Sequence, residues 1–125
     1  MTYSISETAE KMNLTPSTIR FYEKEGILSN VRRTNKGIRY FTEEDMDTLS
    51  MVCCLKDTGM CIREIRHYFE LCEKGDSTLP ERLEIFLNHR KYLLNEIETM
   101  NKYLDKINFK IEWYKRLCQE KGEKA

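Results

Sequence analysis

The chain has 125 residues, 34% of them charged and 40% hydrophobic, with 21 Lys/Arg balancing 21 Asp/Glu. That length fits one compact domain plus one extended element. No apolar run nears the ~18 residues of a membrane span, and no basic segment followed by an apolar core marks a secretory leader, so no membrane partner and a cytoplasmic location are expected.

The first helix is predicted over residues 4–12, capped by Ser4 or Ser6, with Ile5, Ala9 and Met12 on one face. Asn13-Leu14 makes a turn. Thr15 then caps a second helix with Pro16 at its first position, where a missing N–H costs nothing. In that helix Ile19 and Phe21 are expected inside, and Gly26 ends the run. Two short helices joined by a tight turn make a helix-turn-helix.

Residues 31–33 and 38–41 flank Thr34-Asn35-Lys36-Gly37, a hairpin tip in which Gly37 can take a positive φ. Thr42-Glu43-Glu44-Asp45 reads as a capping box with Asp in place of Glu, opening a third helix that ends near Gly59. Met46, Leu49, Val52 and Cys53 form its inner side. Ile62, Ile65, Phe69 and Cys72 give the stripe of a fourth helix, stopped by Gly75. Residues 73–79 are expected to be a linker, with Pro80 beginning the next helix.

From Leu83 the period changes. Leu83, Phe86, Arg90, Leu93, Ile97, Met100, Leu104, Ile107, Ile111, Tyr114 and Cys118 step alternately by three and four, an a/d heptad with Arg90 as its charged exception. One helix from 80 to 118 would span roughly 58 Å at 1.5 Å per residue. Alone it leaves its seam in water, and the simplest cover is a second copy.

Charge is unevenly placed. Between Arg20 and Arg39 stand six Lys/Arg and two Glu, and no acid occurs from 26 to 41. A small helix followed by a basic hairpin can grip a groove and its flanking phosphates. The order Thr15 to Gly26 (T-P-S-T-I-R-F-Y-E-K-E-G), Arg32-Arg33, Asn35 to Tyr40 (N-K-G-I-R-Y), the Thr42 capping box and Thr58 to Ile65 resembles the MerR family of bacterial transcription regulators.

That resemblance implies a mainly α fold: a winged helix-turn-helix DNA-binding domain over 1–72, a linker over 73–79, an antiparallel dimerisation coil over 80–119 and a flexible tail over 120–125. It implies a homodimer on double-stranded promoter DNA that distorts the duplex so that RNA polymerase engages. Ser17, Arg20 and Tyr22 match positions that meet DNA in the family, and Arg33 and Arg39 match wing positions that hold phosphates. Lys36 joins them by its place at the hairpin tip. Ile38 stands where many members carry tyrosine, and Cys61 where Ser or Thr often caps the fourth helix.

Five cysteines, at 53, 54, 61, 72 and 118, are odd in number and lack C-x₂-C spacing, so reduced thiols are expected rather than a disulfide framework or zinc motif. Cys54-Leu55-Lys56-Asp57-Thr58-Gly59, the Gly37-Ile38-Arg39 wing and Glu73-Lys74-Gly75-Asp76 resemble the aldehyde-responsive, thiol-based branch of the family, whose sensing cysteine lies where Cys54 stands. Helical phase puts Cys54 100° from Cys53, off the inner stripe. Cys118, closing the heptad seam, is the candidate second thiol. His67 and His89 lack metal-ligand spacing, and no cofactor or metal is expected. No nucleophile–base arrangement, phosphate loop or carboxylate pair suggests an enzyme.

Two alternatives stay open. The effector is instead a hydrophobic small molecule, received by aromatics such as Tyr68, Phe86, Tyr92, Trp113 and Tyr114. Or the chain is a coiled-coil interaction module that binds protein instead of promoter.

Overall fold

A computed structural model describes residues 1–122. Strand β1 (Thr2–Tyr3) leads into α1 (Ile5–Met12) and α2 (Pro16–Lys24). Strands β2 (Arg32–Arg33) and β3 (Arg39–Thr42) precede α3 (Glu43–Asp57) and α4 (Ile62–Lys74). A 3₁₀ turn (Asp76–Thr78) then opens α5 (Leu79–Gly122). The result is mainly α with a small wing and a long last helix, as the sequence predicts.

Local chemistry sets the element ends. Ser4 caps α1 in a full capping box with Glu7, whose N–H donates to Ser4 Oγ at 3.0 Å. Asn13 closes α1 in the left-handed region at φ 55°. Thr15 Oγ1 accepts the Thr18 N–H at 3.1 Å, with Pro16 next to it at the start of α2. Thr42 and Asp45 complete the second capping box, opening α3. Cys61 caps α4 by position only: its thiol faces the Glu64 carboxylate at 3.1 Å and makes no bond to the helix backbone.

The wing is a three-stranded sheet of order β1-β3-β2, antiparallel throughout. Its tip is closed by Thr34 N–H to Ile38 C=O at 2.8 Å and Gly37 N–H to Thr34 C=O at 2.9 Å, with Gly37 at φ 81°. Strand β1 is new relative to the sequence reading, because two residues are too few to show an alternating pattern. It pairs Tyr3 with Phe41 and brings the Tyr3 hydroxyl to the Glu43 carboxylate. That hydrogen bond raises the Tyr3 pKa.

Ile19, Tyr22, Phe41, Leu49, Val52, Leu55 and Ile65 form the deepest part of the core. Three expectations change here. On α2 it is Tyr22, not Phe21, that is buried, and Phe21 is 44% exposed. The cause is helical phase: residue 22 lies 60° from residue 19, whereas residue 21 lies 160° away. On α3, Leu55 completes the inner stripe and Cys53 is only half-buried. On α4, Leu71 is buried and Cys72 sits at the edge.

Residues expected as a linker are structured. Helix α4 runs to Lys74, and Thr78 is buried in the turn that follows. The Thr78 hydroxyl lies 2.7 Å from Leu71 O and 2.8 Å from Gly75 O, sharing its proton between them. Arg82 donates from Nε to Thr78 Oγ1 at 3.0 Å and from Nη2 to Gly75 O at 2.8 Å. Carbonyls that a helix end leaves open are thereby satisfied.

The chain divides into a unit over Met1–Ile85 and a second beginning at Phe86, so the first turns of α5 belong with the winged domain. The second unit continues α5, which has 44 residues in all. Its seam residues are open in the single chain, Leu83 at 59%, Met100 at 65% and Ile107 at 56%. Residues 120–122, expected in a flexible tail, are helical; 123–125 lie outside the described residues.

Thr78→Val should lower unfolding free energy by about 1–3 kcal/mol, because it takes the hydroxyl away from the Leu71 carbonyl and from Arg82 Nε–H, while Gly75 O keeps the Thr78 N–H and Arg82 Nη2. Thr78→Ser keeps the hydroxyl and should lose less. Urea denaturation at one fixed protein concentration compares them.

Candidate nucleic-acid interface

Burying Ile19 and Tyr22 turns the opposite side of α2 to solvent. Ser17, Arg20, Phe21 and Lys24 are exposed there. Thr15 and Thr18 hydroxyls lie 2.9 Å apart at the helix start. In the wing, Arg32, Arg33, Thr34, Asn35, Lys36 and Ile38 are exposed. Arg33 faces Arg39 across the β2–β3 pair, and Arg32 faces Tyr40.

Two glutamates interrupt this basic segment, and both are paired. Glu23 Oε1 takes the Arg39 Nε at 2.6 Å, and its Oε2 lies 3.5 Å from Arg33 Nη2. Arg33 Nη1 also donates to the Gly37 carbonyl at 3.2 Å. Glu25 binds the Arg66 guanidinium of α4. Among the described residues, Arg20, Lys24, Arg32 and Lys36 make no ion pair; Arg20, Lys24 and Lys36 are open to solvent, whereas Arg32 lines a cleft with Glu44, Asp45 and Glu73. A surface of this kind, positive along a helix and its adjoining hairpin, attracts a polyanion.

The positions singled out from sequence therefore divide. Ser17, Arg20 and Lys36 stand on the open surface. Arg33 and Arg39 reach the same region, but through Glu23. Tyr22 departs from it: the residue is 1% exposed, and its buried hydroxyl has no hydrogen-bond partner among the described residues. Its neighbour Phe21 is the aromatic ring that α2 presents outward, 5.9 Å from the Tyr22 ring. Glu23, Glu25 and Arg66 were missed; the signal was available, since two acids inside a basic stretch call for partners.

Residues 3–72 match the family model of the MerR HTH family regulatory proteins. The chain belongs to the MerR family. An uncharacterised HTH-type transcriptional regulator of Haemophilus influenzae is 40% identical over 116 residues, 93% of this chain and 86% of the relative. The crystal structure of HiNmlR, described as a MerR family regulator lacking the sensor domain and bound to promoter DNA, is 40% identical. It matches with a TM-score of 0.86 over 93% of this chain and 92% of that one. A MerR family transcriptional regulator from Bacillus thuringiensis is 39% identical, with a TM-score of 0.78 over 89% of this chain and 97% of that one.

In this MerR protein the thiols differ in setting. Cys54, Cys61 and Cys118 are exposed in the single chain, whereas Cys53 and Cys72 are half-buried. Burial, with Asp57 nearby, raises the Cys53 pKa and so disfavours its thiolate form. Tyr68, next to Cys72, is likewise raised, by burial first and then by its hydrogen bond to Cys72. Cys54 sits in the last turns of α3, where its carbonyl accepts the Thr58 hydroxyl at 2.6 Å and leaves the thiol outside that bond.

Brief iodoacetamide treatment of the native protein at neutral pH should alkylate Cys54 and Cys61 before Cys53 and Cys72. Peptide mass spectrometry with fragment-level assignment reads the order. Equal labelling of Cys53 and Cys54 would contradict this account.

Proposed function

We propose that this MerR-family chain is a homodimeric regulator that places two copies of the α2–wing surface on promoter DNA. It acts by distorting the duplex so that RNA polymerase can engage, and it is switched by modification of the Cys54 thiol. The observation that carries the reading is that Arg20 and Lys24 on the open side of α2 and Lys36 at the wing tip are exposed and make no ion pair among the described residues, in a chain of zero net charge. HiNmlR, similar over nearly the whole chain, supports it by being bound to promoter DNA without a sensor domain.

The coil supports the dimer. Ile107, Ile111, Tyr114 and Cys118 line an open apolar trough on α5, flanked by Lys106, Lys110 and Lys115. A second α5 would fill such a seam.

Exposure of Cys54, beside a neighbour whose pKa burial raises, fits a thiol that meets electrophiles from solvent. Cys118 is the second thiol of the reading. Aldehydes and other small electrophiles are the effector class that the thiol-based branch suggests.

Arg20→Ala should weaken binding to the promoter fragment by about tenfold or more, and Lys36→Ala should flatten the salt dependence by about one counter-ion. Fluorescence anisotropy across a salt series measures both. A dimer that shows no salt-dependent binding would favour the protein-interaction reading instead. For the switch, Cys54→Ser should abolish the promoter's response to aldehyde in a reporter strain, and a response equal to wild type would sink the thiol reading.

A further inference from the structure

The wing carries an electrostatic problem of its own. Arg33 and Arg39 are register partners on β2 and β3, and like charges placed opposite each other destabilise a strand pair. The carboxylate that relieves this does not come from the wing. It comes from Glu23 of α2, sixteen residues from Arg39 in sequence. Both its oxygens are engaged, Oε1 by Arg39 and Oε2 by Arg33. The Glu23 side chain is 22% exposed and that of Arg39 29%, so solvent screens the contact only in part.

The Arg39 contact is made through Nε. A guanidinium has five N–H groups in a rigid plane, so this leaves four on its two Nη atoms outside the bond to Glu23. An arginine held by Nε is an ordered fork rather than a mobile chain, and it loses less rotamer freedom on meeting a phosphate. The same carboxylate ties the wing to the helix that carries Ser17 and Arg20.

We propose that Glu23 is a positioning residue for DNA binding: it orders Arg33 and Arg39 and holds the wing in register with α2. This rests on the reading of the α2–wing face as the DNA surface. It predicts a sign opposite to simple electrostatics, in which deleting an acid from a DNA-facing surface strengthens binding and steepens its salt dependence.

The test uses the full-length dimer and a short duplex of arbitrary sequence, titrated at several salt concentrations. Glu23→Ala should weaken binding several-fold to about tenfold and flatten the salt slope. In an Arg33→Ala/Arg39→Ala background the same substitution should change affinity less than about twofold, because the groups it positions are gone. Arg39→Lys keeps the charge but loses the planar fork, so it should also weaken binding, and it probes the geometry even if Glu23→Ala folds poorly. Tighter or unchanged binding by Glu23→Ala would overturn the proposal. So would an equal loss in both backgrounds, or wild-type binding by Arg39→Lys. Wild-type protein that fails to bind duplex at low salt would instead remove the DNA reading on which the proposal stands.

Discussion

Helix α2 has nine residues, too few to persist in water on its own helical propensity. Whatever holds it must come from outside. Thr15 and Pro16 set its start, and the burial of Ile19 and Tyr22 clamps one face to the core. The N–H groups of Ile27 and Leu28 both return to the Tyr22 carbonyl and tuck the following loop beneath it. On its flanks Glu23 binds the wing and Glu25 binds α4. The remaining face can stay polar and open because stability is supplied elsewhere.

This arrangement explains how a chain of zero net charge presents a positive surface. The two acids of the basic segment do not dilute it at random; each is absorbed by an arginine of a neighbouring element. The cations left over are on the outer side of α2 and on the wing. The fold thus separates the charges that build the site from those that face solvent.

A similar division holds among the thiols. Cys53 and Cys54 are adjacent in sequence, yet one turns toward the core and the other away, because successive helical residues differ by 100°. The first is half-buried, and burial raises its pKa. The second keeps its access. At Cys61 a cap position is filled by a residue that does not cap, and Glu64 receives the thiol instead.

Most of the element order was legible in the sequence, because the signals are local. Ser4, Thr15-Pro16, Thr42 with Asp45, Gly59 and Gly75 mark ends through bonds spanning a few residues, and the heptads from Leu83 mark α5 through periodicity alone. The basic surface was legible from Arg20, Lys36 and their neighbours for the same reason. What tertiary structure decided involves residues far apart in the chain. It paired β1 with β3 and sealed residues 73–79 through Thr78 and Arg82, whereas the burial of Tyr22 rather than Phe21 follows from helical phase alone. Above all it joined Glu23 to Arg33 and Arg39, and Glu25 to Arg66. Residue types and local spacing encode caps, turns and stripes; which acid meets which arginine depends on how separate elements pack, and no local pattern records that.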